Sequence, residues 1–191
     1  MSSRSIANLR SATGIPTARL VTWWVIASEM FIFGGLLVSY IMHRLAHPEW
    51  GLQAAHTITA AGAFNTFVLL TSSLFAVQAH KAADAHDGPR AAKFLRFTAL
   101  GGFLFLLVKS LEWTDEIREG FVLSSGGFWS FYYTVAGLHA LHVLAGVIIM
   151  LVFAVDAAKN ENLPRVQCIG LYWHFVDIIW IFLFPLLYIA K

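Results

Sequence analysis

The stretch VQCIGLYWHFVDIIWIFLFPLLYIA, residues 166–190, is a membrane-length apolar run that contains two ionisable side chains, His174 and Asp177. A transmembrane helix needs about 20 consecutive, mostly apolar residues, and this run meets that requirement. An ionisable group at the centre of a bilayer costs about 2.5–3.5 kcal/mol on insertion scales, so it usually faces protein or water. His174 and Asp177 are three residues apart and therefore share one helix face. The run predicts a membrane-spanning helix that hides a polar pair from lipid.

The composition of the chain extends this interpretation to the whole protein. Hydrophobic residues make up 58% of the 191 residues and charged residues only 13%, whereas soluble domains carry about 25% charged residues. The formal net charge of +2 is too small to indicate nucleic acid as a partner. Cys168 is the single cysteine, so no internal disulfide can form. The composition predicts an integral membrane protein.

Five segments are long enough to cross a bilayer, and they predict an all-α, polytopic membrane protein with a bundle of five transmembrane helices. Their approximate bounds are 20–42, 60–80, 94–113, 128–155 and 166–190. The second segment is diluted by polar residues such as Asn65, Ser72 and Ser73, so we expect it to pack against protein. Because the connections are short, we predict one membrane domain over residues 1–191.

The positions of Lys and Arg predict the orientation, because cytoplasmic loops carry an excess of basic residues. One side has nine of them, namely Arg4, Arg10, Arg19, Lys81, Arg90, Lys93, Arg96, Lys159 and Arg165. The other side has only four, namely Arg44, Lys109, Arg118 and Lys191. We therefore predict a cytoplasmic N-terminus and a C-terminus outside.

Few ionisable side chains lie within the predicted spans, and each is a candidate functional residue. At a rise of about 1.5 Å per residue, four of them could meet in one layer of the inner half, namely Glu29, His142, His174 and Asp177. Lys109 and Glu112 lie near the outer end of the third span. There they can pair with each other and extend toward the membrane surface.

His139 and His142 form H-A-L-H, whose spacing places both imidazoles on one helix face. In the simplest interpretation, each imidazole is hydrogen-bonded to a neighbouring helix. A second is a metal site with His174 and Asp177 as further ligands, and a third is a haem held by histidines of two helices. Glu29 is either a proton-handling or lipid-contacting carboxylate or a hydrogen-bonding link between helices.

Five motifs, in order along the chain, resemble subunit III of the haem–copper cytochrome oxidases. They are SEMFIFGGLLVSY (28–40), FNTFVLLTSS (64–73), KSLEW (109–113), FYYTVAGLHALHVLAG (131–146) and YWHFVDIIWIFLF (172–184). The resemblance extends roughly from residue 20 to residue 190. The chain is similar to the five-helix bacterial form, which lacks the first two helices of the seven-helix form.

This resemblance implies a non-catalytic subunit of a proton-pumping terminal oxidase in the bacterial cytoplasmic membrane. The oxidase would reduce O2 to water, and a cytochrome c oxidase is the preferred assignment. Haems and copper would lie in partner subunits and none in this chain. Subunit I would be the main contact, with subunit II and small subunits as further partners and a respiratory supercomplex as a candidate wider assembly. The family subunit stabilises subunit I, supports proton uptake and holds phospholipid in a cleft between helices.

The candidate residues fall into two groups. Those related to protons or lipid are Glu29, His139, His142, His174 and Asp177, and those expected to pack helices are Asn65, Lys109 and Glu112. The residues also leave two other functions open. One is a stand-alone membrane cytochrome or metal-binding enzyme, and the other is a small proton-coupled transporter.

Overall fold

A computed structural model describes residues 16–190, which form six α-helices and no strand. The helices are α1 (Thr17–Ala46), α2 (Trp50–Ala54), α3 (Thr59–Asp84), α4 (Gly88–Arg118), α5 (Gly127–Ala158) and α6 (Pro164–Phe184). A π-helical turn, Pro185–Ile189, continues α6. All except α2 are long and apolar enough to cross a membrane. The prediction of an all-α protein with five membrane-spanning helices is therefore confirmed.

The helices extend beyond the predicted spans, because polar residues at the membrane surface continue a helix as well as apolar ones do. At the start of α4, the Asp87 side chain accepts a hydrogen bond from the backbone N–H of Arg90 at 3.1 Å and caps the helix. The connection between the first two spans, expected to be a loop, contains α2. Part of the orientation prediction depends on Arg4, Arg10 and Lys191, which lie outside the described residues.

Helices α3, α4, α5 and α6 form the packed part of the molecule, whereas α1 contacts mainly α6 and, to a lesser extent, α5. Small residues let the packed helices approach closely. A Cβ atom added at Gly102 of α4 would lie 2.6 Å from both Val147 of α5 and Trp173 of α6. Glycine at this position is therefore required by the contact of three helices.

Polar side chains of α3 hydrogen-bond to aromatic residues of α6. The indole N–H of Trp173 donates to Ser72 Oγ at 3.0 Å, and that of Trp180 donates to Thr66 Oγ1 at 3.0 Å. These bonds confirm that one face of α3 packs against protein. The opposite face carries exposed apolar residues such as Phe67 and Leu74, so the expectation that this span does not face lipid is wrong.

The C-terminal turn is held by side chains from the end of α1, the following connection and the start of α3. Four backbone carbonyls in and just after the turn, at positions 186, 187, 188 and 190, accept side-chain hydrogen bonds of 2.8–3.5 Å. Such carbonyls lack partners within a helix end and need other donors. We call the four donors the carbonyl clamp; they are Tyr40, Thr57, Thr59 and Arg44.

Candidate functional site

Helix α1 diverges from the rest of the molecule and leaves a cleft against α5 and α6 with a volume of about 750 Å³. Most of its lining is apolar, with residues such as Val25, Leu141 and Ile149. Arg165 lies at the end of the cleft where α1 and α6 begin, and forms a 3.1 Å ion pair with Asp156. The cleft is therefore an open apolar channel with a paired cation at one end.

Glu29 of α1 and His142 of α5 face each other in this cleft. The distance from Glu29 Oε2 to His142 Nε2 is 3.1 Å, and the side chains are 19% and 17% exposed, respectively. His142 Nδ1 lies 2.8 Å from the carbonyl oxygen of Leu138, which can only accept a hydrogen bond. Nδ1 is therefore the donor in a neutral ring, which leaves Nε2 as an acceptor. The pair is therefore a close polar contact between two helices.

His139 has a different environment, although it lies only three residues before His142. It is fully buried, its ring stacks on Trp180 with 5.2 Å between centroids, and the edge of Phe105 contacts it at 5.5 Å. Neither ring nitrogen has a hydrogen-bond partner among the described residues. The expectation that both histidines bond to neighbouring helices is therefore wrong for His139. His142 bonds to Leu138 of its own helix and also faces Glu29 of α1.

His174 and Asp177 face α3 instead of the cleft. His174 Nδ1 lies 2.6 Å from Ser73 Oγ. Asp177 is buried, and its oxygens have no hydrogen-bond partner within residues 16–190. The expected layer of four ionisable groups is wrong, because only Glu29 and His142 meet.

The ligand sets considered for a metal or a haem do not come together either. His139, His142 and His174 contact Trp180, Glu29 and Ser73, respectively. In the part of the chain that the structure describes, no group of three His, Cys, Asp or Glu side chains is arranged to hold a metal ion.

Lys109 and Glu112 do form the expected pair, with 3.1 Å between Lys109 Nζ and Glu112 Oε2. The expected extension toward the membrane surface is wrong, because the Lys109 side chain is only 1% exposed. Its ammonium group also donates to the hydroxyl groups of Tyr132, at 2.8 Å, and of Tyr188. All three ammonium protons therefore have partners inside the protein.

Further residues complete this buried network, and the sequence reasoning missed them. The hydroxyl oxygen of Tyr132 lies 2.8 Å from Glu116 Oε1, and Glu116 is 2% exposed. The helical spacing of Glu116 from Glu112 was a usable signal, because residues four apart are neighbours on a helix. Asn65, predicted to pack helices, is fully buried in α3, and its amide has no hydrogen-bond partner among the described residues.

Comparison with known proteins gives consistent matches over most of the chain. The family described as Cytochrome c oxidase subunit III matches residues 13–191. The cytochrome c oxidase subunit 3 of Thermostichus vulcanus is 31% identical over 167 residues, which cover 85% of this chain and 82% of that protein. The cytochrome bo(3) ubiquinol oxidase subunit 3 of Pseudomonas aeruginosa is 31% identical over 177 residues and covers 87% and 82%, respectively.

A third relative has a longer chain. The heme-copper oxidase subunit I+III of Aeropyrum pernix is 29% identical over 184 residues, which are 90% of this chain but 22% of that protein. The family match covers all five membrane-spanning helices and every candidate residue described above. The chain therefore belongs to the cytochrome c oxidase subunit III family and is a subunit III of a haem–copper oxidase.

Proposed function

We propose that this chain is a non-catalytic subunit that carries no redox centre and supports the subunits that do. The observation that carries the proposal is the pairwise arrangement of its polar groups. Glu29 faces His142 and Ser73 faces His174, each pair across two helices, and Lys109 faces Glu112 along one helix. The three pairs do not converge on a common centre. Such pairs hold helices together at depth and do not form a coordination sphere.

The main partner in this proposal is subunit I, with subunit II, smaller subunits and a respiratory supercomplex as further contacts. The fused subunit I+III of Aeropyrum pernix supports this choice, because one chain there joins the two. The outward face of α1 offers a large apolar surface for a membrane partner, including Phe31 (84% exposed) and Met30 (60% exposed). We propose that the whole chain acts as one membrane domain that stabilises subunit I.

The second part of the proposal is that the cleft between α1, α5 and α6 binds phospholipid. Its volume of about 750 Å³ and its apolar lining suit acyl chains. Arg165 and Thr17 at one end supply polar groups at the depth where a headgroup lies. We further propose that Glu29 and His142, which face each other in this cleft, support proton uptake by the complex.

The electron donor and the location complete the proposal. We propose cytochrome c as the donor, in line with the Thermostichus vulcanus relative, although the Pseudomonas aeruginosa relative is a ubiquinol oxidase subunit. We also propose the bacterial cytoplasmic membrane, with the N-terminus in the cytoplasm, from the excess of basic residues on that side.

One purification tests these statements together. An affinity tag on this chain should recover haem–copper subunit I in equal amounts, and the complex should oxidise reduced cytochrome c faster than quinol. When subunit III is released with detergent, haem and copper should remain with the other subunits, and phospholipid should leave with subunit III. A stoichiometric haem or copper on the released chain would overturn the non-catalytic assignment.

A further inference from the structure

A narrow groove runs between α3 and α4 on the outer surface, away from the cleft. Its volume is about 210 Å³, and its walls include Phe67, Phe75, Phe97 and Leu104. The α3 lining, residues 67–75, covers about 12 Å along a helix axis. The groove is therefore a short, mostly apolar slot between the two helices that suits part of one hydrocarbon chain.

The floor of the groove is formed by Ser72 and Gly101, where the helices approach each other closely. A Cβ atom added at position 101 would lie 2.6 Å from the Cβ atom of Ser72. Because Gly101 has no side chain, the two helices pack closely at the bottom of the groove, and the aromatic side chains project outward on both sides of it. The shape of the groove therefore comes from tight packing of the two helices.

One end of the groove carries positive charge. Lys93 precedes Phe97 by one helical turn, and Arg96 precedes Leu100 by one turn, so both extend the stripe of residues that lines the groove. The ammonium group of Lys93 lies 5.8 Å from the centre of the Phe97 ring, and therefore at the rim. The charges thus lie where the groove opens toward the membrane surface.

No carboxylate among the described residues compensates these two charges. Lys93 and Arg96 form no ion pair within residues 16–190, and both are exposed. The nearby acids are already engaged, since Asp84 lies 3.4 Å from His80 and Asp87 caps α4. An anion from outside the chain is therefore the complementary partner.

We propose that this groove binds one acyl chain of an anionic phospholipid, whose phosphate is held by Lys93 and Arg96. The groove faces the bilayer and is apolar along its length, so a hydrocarbon chain fits it better than any water-soluble anion. The two basic side chains have flexible stems that reach the headgroup region. This site is separate from the cleft of α1, α5 and α6 and does not depend on the function proposed for that cleft.

The first test measures lipid binding to the intact, tagged oxidase complex by native mass spectrometry. The double variant Lys93→Gln/Arg96→Gln should weaken phosphatidylglycerol binding by roughly ten- to thirty-fold, because each basic residue near the membrane surface contributes to attraction of anionic lipid. Phosphatidylcholine binding should not change. The control, Arg118→Gln, removes an exposed charge at the opposite end of α4 and should leave phosphatidylglycerol binding within twofold of wild type.

The second test locates the lipid with phosphatidylglycerol that carries a photoreactive group on its acyl chain. Crosslinks should map to residues 67–75 and 97–104, and Thr71→Phe, which fills the groove, should remove them without affecting crosslinks in the cleft. Equal labelling by phosphatidylcholine, or labelling unchanged in Lys93→Gln/Arg96→Gln, would overturn the proposal. Crosslinks from these residues to another subunit, with none to lipid, would also overturn it and identify a protein as the occupant.

Discussion

Glu29 and His142 form the closest polar contact between α1 and α5. His142 uses Nδ1 for the carbonyl of Leu138, so Nε2 faces the Glu29 oxygen at 3.1 Å. The pair therefore links the two helices that form opposite walls of the cleft.

We expect Glu29→Gln and Glu29→Ala to differ. Glutamine can donate its amide N–H to His142 Nε2 and so keep the contact between α1 and α5, whereas alanine removes it at a cost of about 1–3 kcal/mol. Subunit III should remain in purified oxidase with Glu29→Gln and be partly lost with Glu29→Ala. If the proton also matters, Glu29→Gln should sustain turnover for a shorter time at full occupancy. Two fully assembled and fully active variants would remove Glu29 from the functional argument.

Lys109 is the most deeply buried cation among the described residues, and its partners satisfy it completely. Its ammonium protons go to Glu112, Tyr132 and Tyr188, which belong to α4, α5 and the C-terminal turn. Removing the cation leaves a buried carboxylate without compensation, and such losses cost about 3–5 kcal/mol.

The variant Lys109→Met should therefore strongly lower the temperature at which subunit III dissociates from the purified complex. The double variant Lys109→Met/Glu112→Gln should recover part of the loss, because glutamine removes the charge at position 112, whereas Glu116 stays in the network. Lys159→Met, at an exposed position of the fourth connection, serves as the control and should behave like wild type. A double variant that is less stable than Lys109→Met would contradict this account.

At the scale of elements, the apolar runs were sufficient to predict all five spans, because each crosses a bilayer with few charges. The positions of helix ends were harder to predict, because α4 starts with polar residues that precede its apolar run and are nevertheless helical. Partners of buried polar groups were the least predictable. The residue that faces His174 depends on how α3 is rotated about its axis relative to α6. That rotation cannot be read from the sequence of either helix alone.

Gly102 tests the close packing of α4, α5 and α6. We expect Gly102→Ala to destabilise the complex by about 1–3 kcal/mol, because its Cβ atom would overlap Val147 and Trp173. Gly34→Ala is the matched control, since no atom lies within 4 Å of a Cβ atom added there. Because alanine has a higher helix propensity than glycine, Gly34→Ala should leave the stability of the complex unchanged or raise it by up to about 1 kcal/mol. Thermal release of subunit III measures both, and equal release temperatures would refute the packing argument.

At the scale of the whole molecule, five membrane-spanning helices predict that residues 16 and 190 lie on opposite sides of the membrane. The basic residues predict which side is which, and this orientation decides whether Arg165 and the end of the cleft near it face the cytoplasm. It also decides which leaflet supplies the lipid for the groove between α3 and α4.

Cysteine labelling determines the orientation directly. In a Cys168→Ser background, we expect Glu49→Cys to react with a membrane-impermeant maleimide in intact spheroplasts, because residue 49 lies in the predicted outer connection. Glu161→Cys should react only after the membrane is opened. Both positions are exposed, so accessibility within the protein does not limit the reaction. The opposite labelling pattern would invert the predicted orientation.

The carbonyl clamp also bears on how this protein is made. A ribosome delivers the last span only after the first four have been synthesised. Until then, Tyr40, Arg44, Thr57 and Thr59 cannot reach the carbonyls that they bind in the finished fold. A nascent chain therefore lacks these four hydrogen bonds until its final turn has been synthesised, so this contact between early and late segments is among the last to form.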